Sequence, residues 1–267
     1  MLPLLTDRCY ISISTKGVAF LRVPVLGRRN YHKQFYPVEE QITKSANILC
    51  PLLNQVLAEH SRQKSQQLQV ILSTDFVRFM VLPAQTTLLT ESDQLAFASA
   101  LYHEVYGQLS DAWLIESNDA VPHQPTLCAA IDQVFLDQLK TMANHYRFNL
   151  SAVVSYATWL VNQFRLERYS GYLALVEPTR LVLIHFDTAL QSLVHEKWED
   201  DWVSPLEILL TKAILRNGPS TRNLLIYAPM EAELDTTRFP QWKVALQQPV
   251  PSQLERSNHY QMLRGCI

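Results

Sequence analysis

VILSTDFVRFMVLP, residues 70–83, is the stretch of sequence that decides the fold. Two runs rich in aliphatic and aromatic residues, at 68–72 and 76–82, flank the polar triplet Ser73-Thr74-Asp75. Runs of this kind favour strands, whereas consecutive Ser, Thr and Asp favour a turn because their side chains bond to the local backbone. Pro83 ends the second run. We therefore expect two short strands joined by a polar turn.

Helical and strand-like segments alternate on both sides of that stretch. Upstream, residues 9–15 and 18–25 indicate a hairpin around Lys16-Gly17, and the apolar positions of 43–60 recur at helical spacing. Downstream, helices are predicted around 95–106, from Asp132, at 158–166 and from Pro205, and strands at 112–116, 126–131, 150–155, 172–176, 181–186, 190–194 and 224–227. This order predicts an α/β fold that contains both antiparallel and crossover connections. The tail after Pro229 is expected either to wrap the body or to be disordered.

Composition excludes several functions. The 267 residues carry a formal charge of -2 at pH 7, and scattered Lys and Arg argue against nucleic acid as a partner. The four cysteines lie far apart without a CxxC pair, so neither a zinc site nor a redox dithiol is expected. The sequence shows no signal-peptide core and no apolar run of spanning length. A cytoplasmic protein without direct membrane insertion is the expectation.

Catalytic motifs are absent from the sequence. Only six glycines occur, none of them in a GxG or GK[ST] pattern, which argues against a phosphate-binding loop. No GxSxG elbow and no HExxH spacing are found either. We expect no catalytic residue, no metal and no cofactor.

The densest charged segment is a candidate docking site. It interleaves tryptophans with carboxylates, and its members are Trp198, Glu199, Asp200, Asp201 and Trp202. Aromatic side chains beside charges are typical of protein interfaces. The alternative is a solvated turn whose tryptophans fold back onto the body.

Residues 70–83, with the following helix and Tyr106-Gly107, resemble the pilus-assembly protein PilM and are similar to the cytoplasmic domain of type II secretion protein L. Residues 135–140, 148–150 and 153–154 resemble the helix and strand by which those proteins cross between lobes. The resemblance covers about residues 68–191. It implies an actin-like (ribonuclease H-like) α/β fold with mixed sheets and two lobes around a nucleotide cleft.

The resemblance also implies where nucleotide phosphates would be held. The first hairpin turn of that fold carries an acidic residue, a glycine and a hydroxyl, and the second turn carries a glycine. At the corresponding positions this chain has Ser12, Ser14, Lys16 and Gly17, with Thr15, and then Glu177, Pro178 and Thr179. The adenosine-binding glycine pair is also missing from residues 225–230. These departures predict a degenerate cleft.

The function expected from this resemblance is a non-enzymatic cytoplasmic scaffold in the assembly of a type IV pilus or type II secretion-like machine. Its partner would be the cytoplasmic part of an inner-membrane assembly protein, which would hold the chain peripherally at that membrane. One alternative is a weak ATP-binding ATPase of the same fold that uses Lys16 and Thr179; another is an unrelated α/β enzyme without a linear motif. Two domains are expected: an N-terminal lobe with an inserted subdomain (1–169) and a C-terminal lobe with the tail (170–267).

Overall fold

The computed structural model describes residues 6–24, 31–38, 46–62, 65–87, 90–119, 121–164, 166, 169–217, 222–231, 233, 235–247, 258–264 and 266. Its strands are β1 (Arg8–Ser14), β2 (Gly17–Val23), β3 (His32–Pro37), β4 (Gln66–Leu72), β5 (Arg78–Leu82), β6 (Trp113–Ser117), β7 (Thr126–Asp132), β8 (Phe148–Ser155), β9 (Ser170–Val176), β10 (Arg180–Asp187), β11 (Ala189–Lys197), β12 (Asn223–Tyr227) and β13 (Lys243–Leu246). Its α-helices are α1 (Cys50–His60), α2 (Glu91–Tyr106), α3 (Gln133–His145), α4 (Tyr156–Phe164) and α5 (Val203–Asn217).

Contacts between residues divide the chain into two compact units. Unit 1 comprises Met1–Phe76, Asp132–Leu160 and Pro249–Ile267, and unit 2 comprises Val77–Ile131 and Val161–Gln248. The units therefore interleave along the chain. A division into consecutive lobes at residue 170 stays a prediction.

Unit 1 is built on a five-stranded mixed sheet in the order β3-β2-β1-β4-β8. β1 pairs antiparallel with β2 and parallel with β4, and β4 pairs parallel with β8. Most residues of the central strands β1, β2 and β4 are buried, and Ile11, Val70 and Ile71 are fully buried. Helices α1 and α3 pack against each other, and α3 packs against β8.

Unit 2 contains two sheets. The larger has the order β11-β10-β9-β12-β13 and is covered by α5, whose Leu206, Leu209 and Leu210 join its core. The smaller has the order β5-β7-β6, and α2 supplies Ala98 and the fully buried Tyr102 to its core.

The predicted helices and strands are confirmed, with shifts at their ends. The largest shift is in the helix predicted at 43–60, where Ala46–Leu49 form a 3-10 turn and α1 begins at Cys50. β5 starts at Arg78, two residues later than expected, because the amide of Phe76 donates to the carbonyl oxygen of Ser73 and extends the turn. Val25 and the predicted helix start at 43–45 lie outside the described residues. The strands β3 and β13 were not predicted. In the tail, residues 258–264 pack onto β1 and β2, so the described part of it wraps the body.

Candidate functional site

The carboxyl ends of three parallel strands meet at one edge of the sheet in unit 1. In the strand register, Ile13 of β1 lies beside Leu72 of β4, and Leu72 lies beside Ser155 of β8. From β1 the chain continues to β2 and β3 on one side of the sheet, while β4 and β8 lie on the other. This is a topological switch point, the place where open α/β sheets bind ligands.

A carboxylate held by two hydroxyls occupies this switch point. Oδ2 of Asp75 accepts hydrogen bonds from Thr15 Oγ1 at 3.2 Å and from Ser73 Oγ at 3.3 Å. The amide of Asp75 donates to Ser73 Oγ at 3.2 Å. Asp75 is 6% exposed, and a buried polar group needs hydrogen-bond partners to offset its removal from water. Thr15, Ser73 and Asp75 therefore form one cluster, although 60 residues separate Thr15 from Asp75.

Of the predicted residues of unit 1, Lys16 lies in the tight turn between β1 and β2, Ser14 and Gly17 flank that turn, and Ser12 lies within β1 opposite Ala19. Ser14 Oγ donates to the carbonyl oxygen of Gly17 and accepts from the amide of Lys16, both at 3.3 Å. Ser12 and Ser14 are buried, whereas Lys16 is exposed. Gly17 has φ +151°, and a Cβ there would lie 2.3 Å from the carbonyl oxygen of Tyr36. The glycine is required by the close approach of β3.

The predicted residues of unit 2 form the turn between β9 and β10. Glu177 is fully buried; its amide donates to the carbonyl oxygen of Arg180 at 2.8 Å, and its carbonyl oxygen accepts from Trp198 Nε1 at 3.0 Å. The carbonyl oxygen of Thr179 accepts from the amide of Trp198 at 3.3 Å. Of the six residues predicted for the cleft, five thus lie in or beside a turn, one turn in each unit, and Ser12 lies within β1.

The predicted docking segment presents carboxylates rather than indole rings. Trp202 is 6% exposed and joins the core of the larger sheet, while Trp198 packs against that core. Asp201 accepts from the amides of Val203 at 2.8 Å and Ser204 at 3.2 Å, so it caps α5. Glu199 and Asp200 are exposed. A docking role for this segment stays a prediction, and only these two carboxylates face the solvent freely.

Comparison with solved structures decides the fold. A Bacteroides thetaiotaomicron protein of unknown function with an actin-like ATPase fold matches with a TM-score of 0.59 at 14% identity, covering 91% of this chain and 91% of its own. The cytoplasmic domain of EpsL, an inner membrane component of the Vibrio cholerae type II secretion system, matches at 0.59 and 11% identity, covering 98% and 94%. A chain of the PilM–PilN type IV pilus biogenesis complex matches at 0.61 and 9% identity, covering 91% and 88%. The chain has the actin-like ATPase fold.

Comparison by sequence identifies no family for this chain. No protein-family model matches the chain, and no curated protein is significantly similar to it. The predicted resemblance to PilM and to type II secretion protein L is thus confirmed as a likeness of fold.

The actin-like ATPase fold implies a nucleotide, and the residues present fit one poorly. Phosphates are held best by backbone amides that a glycine leaves accessible, whereas the Cβ side of Gly17 is filled by β3. The carboxylate of Asp75 would repel phosphate oxygens unless a cation bridged them. Among the described residues, no group of three or more His, Cys, Asp and Glu side chains is arranged to hold a metal.

Sequence reasoning assigned Ser73 and Asp75 to a turn and missed their place at the switch point. The available signal was their position, since they directly follow the apolar run at 68–72. In the part of the chain that the structure describes, no helix combines the length and apolar character needed to cross a membrane.

Proposed function

We propose that this chain is a non-enzymatic cytoplasmic adaptor in the assembly of a type IV pilus or type II secretion-like machine. One observation carries the proposal: the actin-like fold is retained while polar side chains at its switch point are hydrogen-bonded to one another. Thr15, Ser73 and Asp75 satisfy one another there, and β3 blocks the approach to Gly17. A fold kept without its phosphate contacts is expected to serve by binding proteins.

The solved structures support the choice of machine. EpsL is named as an inner membrane component of a type II secretion system, and PilM as part of a type IV pilus biogenesis complex with PilN. We therefore expect this chain to bind the cytoplasmic part of an inner-membrane assembly protein, which would place it at the membrane periphery.

Co-purification tests the adaptor function. The full chain carrying an affinity tag is expressed in its native cell, membranes are solubilised in mild detergent, and the recovered proteins are identified by mass spectrometry. We expect a membrane protein with a cytoplasmic tail, in stoichiometric amount and independent of added ATP. Recovery of no membrane protein beyond that found with an unrelated tagged protein would contradict the proposal.

Weak nucleotide binding is the second candidate, and the exposed Lys16 at the switch point favours it. Lys16 lies on the turn that follows β1 and is the next residue after Thr15, whose hydroxyl donates to Asp75. Isothermal titration with ATP and magnesium, repeated with Lys16→Ala, distinguishes the two candidates. Saturable binding that the substitution abolishes would favour the nucleotide site. If ATP and magnesium produce no heat of binding with the wild-type chain, the adaptor function remains the better proposal.

A further inference from the structure

Helix α5 exposes apolar side chains on the face that points away from its sheet. Ile208 is 53% exposed and Leu215 is 82% exposed. They lie seven residues apart, which is two helical turns, so both project from one face. Thr211 and Lys212, between them, are also exposed. An apolar stripe of this kind on a helix that already buries Leu206 and Leu210 is not needed for folding.

A pocket of about 190 Å³ lies alongside this stripe. Leu210 and Ile214 of α5 form one wall, and Phe239, Pro240 and Trp242 form the other. Trp242 is fixed by an edge-on contact with the ring of Tyr172, with centroids 5.2 Å apart. The volume is below the roughly 300–1,000 Å³ of small-molecule sites, so the pocket fits an anchoring side chain better than a whole ligand.

The charges beside the stripe are basic. Lys212 and Arg216 are exposed one turn apart, and neither forms an ion pair within the described residues. Arg238 at the pocket rim differs, because its Nε donates to Glu207 Oε1 at 3.0 Å and its Nη1 lies 3.9 Å from Asp201. The unpaired positive charge is thus confined to the second half of α5. A partner surface bearing carboxylates would complement this charge.

We infer that the α5 surface, defined by Ile208, Leu215, Lys212, Arg216 and the adjacent pocket, docks an acidic amphipathic helix of a partner protein. One apolar side chain of that helix fills the pocket, others cover Ile208 and Leu215, and flanking Asp or Glu side chains face Lys212 and Arg216. Helices laid into grooves by anchors at helical spacing are an established mode of recognition. The inference rests on the proposed adaptor function and adds to it a location and the chemistry of the partner.

Selection from displayed peptides tests the inference directly. A phage library of random peptides about 16 residues long, roughly four helical turns, is selected on the full chain. Counter-selection uses the variant Ile208→Asp/Leu215→Asp. We expect enriched peptides with apolar residues at spacings of three, four and seven and with interleaved Asp and Glu. No enrichment, or a basic consensus, would overturn the inference.

Variants then locate the binding of the synthesised consensus peptide. Ile208→Asp/Leu215→Asp should weaken it at least about tenfold, because apolar anchors carry most of the binding free energy. Lys212→Glu/Arg216→Glu should weaken it by a similar factor at low salt and by less at high salt. The matched control is Val105→Asp/Leu109→Asp, an exposed apolar pair at 63% and 73% elsewhere in unit 2, which should leave binding unchanged. Equal binding by all three variants would refute the location.

Two further readouts separate this inference from its alternatives. If light scattering shows that the wild-type chain is a dimer and that Ile208→Asp/Leu215→Asp is a monomer, a second copy covers the surface and the inference fails. If that variant still recovers the membrane partner in full, the adaptor function is supported, and the proposal that the α5 surface binds the partner is wrong. If peptide binding depends on the α5 surface while no membrane partner is recovered, helix binding at this surface is supported and the adaptor function is wrong.

Discussion

The imidazole ring of His60 stacks on the ring of Phe20, with centroids 3.8 Å apart and 9° between the planes. His60 is 6% exposed, and its Nε2 lies 2.9 Å from the hydroxyl oxygen of Tyr36. Burial, followed by the nearby positive groups His32 and Arg22, lowers the pKa of His60 from 6.5 to about 4. The stacked ring is therefore neutral in the folded protein at neutral pH.

This lowered pKa predicts a loss of stability in acid. Between about pH 6.5 and about pH 4 the unfolded chain holds more protons at this residue than the folded chain, so the free energy of unfolding rises with pH in that window. The contribution of His60 is complete above the unfolded pKa and declines as the pH falls through the folded one. It amounts to about 1–3 kcal/mol.

The variant His60→Phe tests this, because it keeps an aromatic ring against Phe20 and removes the titration. Urea unfolding is measured from neutral pH down to about pH 4. The free energy of unfolding of the wild type minus that of the variant should decrease as the pH falls. A difference that is constant across the series would show that His60 is not the group responsible.

Gly17→Ala should destabilise unit 1 by about 2–4 kcal/mol. The substitution places a Cβ 2.3 Å from the carbonyl oxygen of Tyr36 at a φ of +151°, so β3 must shift away from β2. Gly107→Ala is the comparison, because its φ is +63° and nothing lies within 4 Å of the added Cβ. Gly107→Ala introduces backbone strain without a steric clash, so it should lower the free energy of unfolding by less than Gly17→Ala does. Equal losses in denaturant unfolding would mean that the approach of β3 is not tight.

Most elements could be predicted from the sequence because local signals determine them. Helix α2 shows both the success and its limit. It was predicted around 95–106, yet it begins at Glu91 because Thr90 Oγ1 accepts from the amide of Asp93 and caps the helix. Tyr102 is fully buried, and Leu101 beside it is partly buried and packs against the same core.

The features that escaped prediction depend on distant partners. β3 contains the polar run His32-Lys33-Gln34 and forms because β2 supplies backbone partners, as Val18 facing Tyr36 illustrates. The cluster around Asp75 depends on the parallel pairing of β1 with β4, which no local pattern reveals. In both cases the sheet topology, rather than residue type, brings the groups together.

Tyr102→Phe should destabilise the smaller sheet of unit 2 by about 1–2 kcal/mol. The hydroxyl of Tyr102 donates to the carbonyl oxygen of Arg78 at 2.8 Å. The carbonyl oxygen of Cys128 is a second acceptor, 3.2 Å from the same hydroxyl. Removing it leaves buried acceptors with one donor fewer. Tyr106→Phe is the matched control, since Tyr106 packs on Tyr102 but is partly exposed, and it should change the free energy of unfolding little. Equal effects of the two substitutions would contradict the role of this hydroxyl.

Asp201→Ala should lower the free energy of unfolding by about 1 kcal/mol, because it removes the cap of α5. The hydrogen bond from the Ser204 hydroxyl, then that from the amide of Val203, lowers the pKa of Asp201. The capping contribution is therefore complete above the unfolded pKa and is lost as the pH falls through the lower folded value. Asp200→Ala, next to it and exposed, should leave stability unchanged. The penalty for Asp201→Ala should disappear at a pH low enough to protonate the Asp201 carboxyl in both the folded and the unfolded chain. A penalty that persists there would exclude the cap as its cause.

Glu199→Gln/Asp200→Asn should reduce recovery of the membrane partner without lowering stability. Both carboxylates are exposed on the bend before α5, while the neighbouring Trp198 and Trp202 are held by the core. Charge is thus the main feature that this segment offers to a partner, and removing it weakens association most at low salt. Co-purification at low and high salt measures the effect, with Asp201→Ala as a control that alters helix capping instead. Undiminished recovery by the double variant at low salt would show that this segment is a solvated turn without a docking role. Partner binding would then have to use another surface of the chain.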